Sequence, residues 1–178
     1  MKPENMMYSH AHVVDNLRRL PRKMLNLHGL DNVTEFVLHE LCAKNCFNLH
    51  KAAYFIDNPD FNCLKGVVGV SSAELHDIED IWTSPDAFTQ QMIESPFNKQ
   101  VRSFLGESHK RNGEPYEKTA EAIAHELGLN NYGFYSWDMK HNNHGFLVCE
   151  KNETDAESHP HDDIIVDGLC LLGFCPVH

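Results

Sequence analysis

Apolar residues recur every three or four positions along the start of the chain, which is the spacing of an amphipathic helix. Within residues 9–28 the positions with this spacing are Val13, Leu17, Leu20, Met24 and Leu27. Pro21 predicts a kink or a break in that helix, because proline lacks the backbone N–H that a helix needs. Residues 31–45 predict a second helix, with Asn32 and Glu35 at the spacing of a capping box.

Four runs rich in β-branched and aromatic residues predict strands that pair as two hairpins. KAAYFID (51–57) and NCLKGVVGV (62–70) flank an Asn-Pro-Asp turn at 58–60. NYGFYSWDM (131–139) and HGFLVCEK (144–151) are joined by the polar turn KHNN. The two hairpins lie far apart in the sequence, so the chain between them must connect two halves of a sheet.

The middle of the chain returns to helical signals. SPDAFTQQMIE (84–94) and the segment 95–106 both open on Ser-Pro, which is an N-cap followed by proline at the first helical position. The second of these helices is predicted to close on Gly106 as a C-cap. A polar loop then leads to a third helix over 116–127, which ends on Gly128.

The last segment, HPHDDIIVDGLCLLGFCPVH, fits either a strand or a helix over 162–175. The run Ile164–Val166 favours a buried strand, whereas Pro160 and Asp162 are typical of a helix opening. The order of the other elements predicts an α+β fold, with an antiparallel sheet of four to six strands and helices packed on its face. We expect one domain over 1–178, into which a helical segment over 1–30 leads.

The net charge limits the classes of partner. The 178-residue chain has a formal charge of −11 with histidine neutral, so we expect neither nucleic acid nor a membrane surface as a partner. No signal-peptide pattern opens the sequence, and the longest apolar stretch is about 14 residues and contains Asp167, too short for a bilayer span. The expected location is the cytoplasm, where the six cysteines would be thiols.

Two stretches of the sequence share an order of helix and hairpin. AEAIAHELGLNNYGFYSWDMKHNNHGFLVCEKN has a helix ending at a Leu-Gly-Leu corner, a strand, a polar turn and a strand with an early glycine, and an earlier helix is followed by KAAYFIDNPDFNCLKGVVG. Together these stretches, about half of the chain, resemble GAF-type sensory domains and their autoinducer-binding relatives, and the earlier one is similar to the opening helix and first hairpin of that fold. The resemblance implies a small-molecule pocket between the sheet and the middle helices.

Five aromatic residues are candidates for lining that pocket: Tyr54, Trp82, Phe88, Tyr135 and Trp137. Because strand side chains alternate, Tyr135 and Trp137 share one face, and Tyr54 points away from Phe55. Trp82 is the strongest of the five, since it lies in a connection and outside the periodic core positions. Aromatic residues at alternating strand positions are more often plain hydrophobic core than a ligand cage.

Histidines cluster near the C-terminal end of the chain and offer a metal site as the alternative. The candidate ligands are His141, His144, His159, His161 and Asp162. A divalent transition metal on three or four such groups would support a metal-dependent enzyme. Thirteen histidines also make clustering by chance frequent, so a solvated turn and linker is the competing interpretation.

A second set of metal-ligating residue types is His39, Cys42, Cys46 and His50. On a helix this set would extend over about 16 Å, so one ion could use two of the four at most. We therefore interpret the two cysteines as buried core residues that face the sheet.

The motifs of common enzymes are absent: GxSxG, GxxxxGK[ST], GxGxxG and HExxH do not occur. The leading hypothesis is accordingly a small-molecule-binding sensory or regulatory module, with the metal-dependent enzyme as the alternative and enzymatic activity left open. A third hypothesis is an interaction protein whose apolar GLCLLGFC segment packs on a partner or on a second copy, as in a homodimer.

Overall fold

The computed structural model describes residues 3–27, 29–75, 80–152 and 162–176. Within these ranges the predicted α+β fold is confirmed, and the helices are α1 (Pro3–Asn26), α2 (Val33–Cys42), α3 (Pro85–Glu94), α4 (Pro96–Ser103), α5 (His109–Asn112), α6 (Tyr116–Leu127) and α7 (Asp162–Leu169). The strands are β1 (Leu49–Asn58), β2 (Cys63–Ser71), β3 (Leu105–Gly106), β4 (Tyr132–Asp138) and β5 (His144–Lys151). Short 3₁₀ helices cover Lys140–Asn142 and Cys170–Phe174.

The five strands form one antiparallel sheet in the order β3-β2-β1-β5-β4. The first hairpin (β1 and β2) and the second hairpin (β4 and β5) join through β1 and β5, with Tyr54 opposite Leu147 and Phe55 opposite Phe146. The two central strands therefore come from opposite ends of the sequence. This pairing brings the start of β1 beside the end of β5.

Helices cover both faces of the sheet, and alternate strand residues belong to different cores. Tyr54 and Trp137 pack in a first core, beneath α1, α2, α3 and α7. Phe55 and Phe146 pack in a second core, beneath α4 and α6. Tyr135 joins the first core and Phe134 the second, so the predicted alternation along β4 is confirmed.

One predicted helix end is wrong, and one of the two alternatives predicted at Pro21, a break, is excluded. Helix α1 has no break at Pro21 and continues to Asn26. Pro21 is exposed, so water can bond the carbonyl whose N–H partner is missing, while Leu20 and Leu27 stay buried beside it. Gly106 does not cap α4, which ends at Ser103; it pairs instead with Leu64 as part of β3.

The polar loop and the last segment also contain helices. His109–Asn112 form one helical turn, which closes on Gly113 in the left-handed conformation (φ +67°). The segment 162–169, which fitted a strand or a helix, is helical, and a 3₁₀ turn follows it. None of the helices in the described ranges has the length and the apolar character that a bilayer span requires.

A buried polar network connects α2, α4 and β2. Asn98 on α4 is 2% exposed; its side-chain NH₂ donates to Glu35 Oε1 (3.2 Å) and to the Met92 carbonyl (2.9 Å). Its side-chain oxygen accepts a hydrogen bond from the Gly69 N–H (3.0 Å). Arg102 adds an ion pair to Glu35 (3.2 Å). The network therefore holds α2 at a defined position along β2.

Candidate functional site

The five aromatic candidates lie on one face of the sheet, in or against the first core. Tyr54 and Trp137 stack with their ring centroids 5.6 Å apart, and Phe88 contacts the edge of Phe36 at 4.5 Å. Burial raises the pKa of the Tyr54 hydroxyl, which stays neutral. These side chains fill the space between sheet and helices by packing on one another. Their role in binding a ligand stays a prediction.

Trp82 lies in the connection between β2 and α3, as predicted, and its indole N–H forms a hydrogen bond within the protein. Its Nε1–H donates to Glu40 Oε2 (2.8 Å), and Lys23 donates to the other oxygen of Glu40 (2.7 Å). The Lys23 ammonium also lies 5.5 Å from the Trp82 ring, within cation–π range. The ring packs 5.4 Å from Phe36. Trp82 thus attaches its loop to α1 and α2.

The structure describes the side chains of two of the five predicted metal ligands, His141 and His144. His141 is exposed in the β4–β5 turn with φ +59°, whereas His144 is buried. His159 and His161 lie outside the described residues, and of Asp162 only the backbone at the start of α7 is described. In the described part of the chain, no group of three or more His, Cys, Asp or Glu side chains is placed to hold a metal. The metal site stays a prediction.

A pocket of about 430 Å³ opens at the end of the sheet where α2 terminates. We call it the His39 pocket. Its lining comes from the end of α2, the start of β1, the end of β2 and the residue after β5: His39, Cys42, Ala43, Lys44, Asn48, Leu49, Val70, Ser72, Leu75 and Asn152. The volume falls in the range of small-molecule sites, and the lining combines apolar walls with a few polar groups.

Two lining residues of the His39 pocket are neutral at physiological pH. Burial lowers the pKa of His39, although the Glu40 carboxylate opposes that shift. Burial raises the pKa of the Cys42 thiol well above its ordinary value, and the neighbouring Cys149 and Cys46 raise it further. His39 Nδ1 is buried without a hydrogen-bond partner in the described structure. A buried, unpaired ring nitrogen is costly, which makes the His39 imidazole the polar group of this pocket most in need of a partner.

Hydrogen bonds between strand ends shape the rim of the His39 pocket. The Asn152 side chain donates to Asn48 Oδ1 (2.9 Å), which links the residue after β5 to the residue before β1. Ser72 Oγ and His50 Nδ1 are hydrogen-bonded at 2.9 Å, and the Ser72 N–H donates to the His50 carbonyl. These bonds hold the rim in place before any ligand arrives.

A second polar group, the Asp57 cluster, lies at the opposite end of β1. Its members are Asp57, His109, Lys110, Tyr116, Asp138 and His144. Asp57 is fully buried; its Oδ2 lies 2.9 Å from His109 Nε2 and accepts a hydrogen bond from the Lys110 N–H (3.1 Å). Burial lowers the pKa of His109, and the Asp57 carboxylate opposes the shift. The His109 ring packs on Tyr116 at 3.9 Å.

His144 joins the exposed and the buried parts of the Asp57 cluster. The Lys110 ammonium contacts Nε2, and lysine can only donate, so Nε2 accepts and the neutral ring carries its proton on Nδ1. That Nδ1 lies 3.1 Å from the Tyr116 hydroxyl and 3.2 Å from Asp138 Oδ1. Burial lowers the pKa of His144, and the positive charge of Lys110 lowers it further. At the outer end of the Asp57 cluster, the polar groups of Lys110, Tyr116 and Asp138 all contact the His144 ring. The cluster covers this end of the sheet.

The free energy of unfolding is expected to fall as the pH drops below about 6.5, the ordinary histidine pKa. The folded protein holds the pKa of His39, His109 and His144 below that value, so the unfolded chain binds more protons in acid. Urea denaturation at a series of pH values checks this. His144→Gln should flatten the pH dependence, and the same change at the exposed His125 should leave it as in the wild type; equal slopes in both variants would contradict the assignment.

The residues of the His39 pocket were not predicted as a site from the sequence. In the sequence, His39 and Cys42 stand out only as members of the set with Cys46 and His50. Ser72 and Asn152 are far from them along the chain, so the sequence does not show that all four line one pocket. The Asp57 cluster gives no motif either, because its residues come from β1, α5, α6, β4 and β5. The sequence offers one local signal, the aspartate Asp57 directly after the apolar run Tyr54–Ile56.

Comparison of the chain with known proteins found no match. No family model matches the sequence, and neither a curated protein nor a solved structure matches it. The resemblance to GAF-type domains therefore stays a prediction. The geometry of the described residues is the basis for any proposal about function.

Proposed function

We propose that the protein is a small-molecule-binding regulatory module and that its ligand occupies the His39 pocket. The observation that carries this proposal is a pocket of about 430 Å³ lined by His39, whose buried Nδ1 has no hydrogen-bond partner in the described structure. A ligand that hydrogen-bonds the His39 imidazole reduces the cost of this unpaired polar ring. Apolar contacts with Leu49, Val70 and Leu75 supply the remaining affinity.

The position of the pocket supports a regulatory role. Its walls belong to separate elements, with His39 on α2 and Val70 on β2. A ligand that contacts both walls favours the arrangement in which they are correctly spaced, which is a population shift. The first residue of α2, Val33, lines an exposed apolar groove with Leu30 and Phe174. A shift of α2 would therefore alter the surface at its other end.

Of the five aromatic candidates, Phe88 contacts the pocket through His39. Its ring lies 5.1 Å from the His39 imidazole and holds it from the side of the first core. The other four aromatics pack in or against the first core and are not among the described residues that line the pocket. This arrangement keeps their predicted association with binding but makes it indirect.

Filling the pocket is expected to weaken ligand binding by about tenfold or more without unfolding the protein. Ser72 is exposed at the rim, so Ser72→Trp places an indole across the opening. Ser103 is an exposed serine on α4 whose hydroxyl also makes a single hydrogen bond, to the Gln100 carbonyl (2.8 Å). Ser103→Trp is thus the matched control. Saturation-transfer NMR with a library of small organic molecules measures binding to each variant.

The expected result is a set of binders whose affinity falls by about tenfold or more in Ser72→Trp and stays unchanged in Ser103→Trp. Circular dichroism of both variants checks that they are folded. A library that yields no binders, or binders that Ser72→Trp leaves unaffected, contradicts the assignment of this pocket.

A further inference from the structure

The charge of the His39 pocket differs from that of the chain as a whole. The chain has 26 acidic and 15 basic residues, yet the described residues that line the pocket include one lysine and no carboxylate. Glu40 is the acidic neighbour of His39 in sequence, and its carboxylate is bound by Lys23 and by the Trp82 indole. Its charge is thereby compensated outside the pocket. The one full charge among the described lining residues is thus positive, which favours a negative ligand over a positive one.

Lys44 supplies the positive charge. It is exposed, and its ammonium has no partner among the residues that the structure describes. Other lysines are engaged: Lys23 with Glu40, Lys118 with Glu114 and Lys99 with the Glu94 carbonyl. An unengaged ammonium at a pocket rim offers three donors and a full charge to an incoming anion.

The interior of the pocket has the opposite character. His39 is neutral because burial lowers its pKa, and Asn48 and Asn152 present uncharged amides. Ala43, Leu49, Val70 and Leu75 provide apolar walls. A charged group placed here would lose its hydration without gaining a counter-charge, which is costly. A neutral group that can form a hydrogen bond costs less here, and the His39 imidazole is its partner.

Together these features define one class of ligand, and this step rests on the proposed function. We infer that the His39 pocket binds a small organic monoanion: a carboxylate at the Lys44 rim, an apolar body along Leu49 and Val70, and a neutral hydroxyl or amide that reaches His39. Lys44 sets the preference for the anion, and His39 sets the preference for the polar group at the far end.

The inference is tested with acid and amide pairs of the same shape. The probes are butanoate with butanamide, benzoate with benzamide, and 4-hydroxybenzoate with 4-hydroxybenzamide, titrated by NMR at low salt. We expect the acids to bind about tenfold more tightly than the amides, which is about 1.4 kcal/mol. The 4-hydroxyl should strengthen binding further, and this gain should disappear in His39→Phe.

Lys44→Met is the decisive variant because it removes the charge and keeps an unbranched side chain. It should lower the affinity for each acid to that of its amide and leave the amides unchanged. Lys140 is also exposed, with no side-chain partner among the described residues, and Lys140→Met should change nothing. Raising the salt concentration should weaken the acids alone, since exposed charges are screened.

The outcomes separate this inference from the proposed function. Equal binding of acid and amide, blocked in both cases by Ser72→Trp, would overturn the monoanion class while the site stands. A preference for acids that survives Lys44→Met would overturn the role of Lys44. Binding of none of the six probes, or binding that Ser72→Trp does not affect, would overturn the site itself and the inference with it.

Discussion

Replacing Gly66 with alanine is expected to lower the free energy of unfolding by about 3 kcal/mol, the upper part of the range for overpacking. A Cβ at this position would lie 1.8 Å from the Val101 carbonyl oxygen and 2.8 Å from the Val101 carbonyl carbon. Those atoms are backbone at the end of α4, so they cannot rotate away as a side chain can. The Gly66 N–H also donates to the Phe104 carbonyl (3.1 Å), which ties β2 directly to the chain after α4.

Gly133→Ala is the matched control for this prediction. Gly133 is also a strand glycine, but a Cβ there would meet its nearest atoms at 3.9 Å, an ordinary contact. We expect a change within about 0.5 kcal/mol, because alanine also restricts the unfolded chain. Urea midpoints and slopes of both variants give the comparison. A Gly66→Ala protein as stable as the wild type would show that α4 does not pack this closely on β2.

The faces of the strands are predictable from the sequence because alternation is a local property. Tyr54 and Phe55 must point to opposite sides of any strand, and they enter the first and the second core. The same rule separates Phe134 from Tyr135. It does not say which face becomes a binding site, since both faces are covered by helices here.

Element ends are less predictable, because distant residues decide them. Gly106 carries the local signal of a helix C-cap, but pairing with Leu64, 42 residues earlier in the chain, makes it part of a strand. Pro21 carries the signal of a helix break, yet burial of Leu20 and Leu27 on one side maintains the helix. In both cases packing outweighs a local preference of a few kcal/mol.

The candidate site is predictable only in fragments. The sequence shows His39 and Cys42 one helical turn apart, which suggests a shared face. It does not show that His39 Nδ1 lacks a partner, because that depends on how α2 lies against the strand ends that carry Ser72 and Asn152. The aromatic residues draw attention in the sequence by their size, and the structure places most of them in the core behind the pocket.

Asn98→Ala is expected to lower the free energy of unfolding by about 3 kcal/mol. It should also weaken ligand binding, although Asn98 does not line the pocket. The change leaves the Gly69 N–H and the Met92 carbonyl without this partner in a buried region, and Glu35 Oε1 keeps only its bond from Arg102. Each unpaired group costs roughly 1–3 kcal/mol, and partial access of water or local rearrangement reduces the sum. Urea denaturation measures the loss of stability.

The effect on binding follows from what Asn98 connects. It joins Glu35 on α2 to Gly69 on β2, and those elements carry His39 and Val70, which both line the pocket. Loss of the connection allows the walls to separate, so the folded variant should bind 4-hydroxybenzoate less tightly than the wild type. Asn112→Ala is the matched control: Asn112 is exposed, bonds Glu107 at 3.0 Å, and its loss should cost less than about 0.5 kcal/mol. Unchanged affinity in a destabilised Asn98→Ala protein would mean that the spacing of α2 and β2 does not control the pocket.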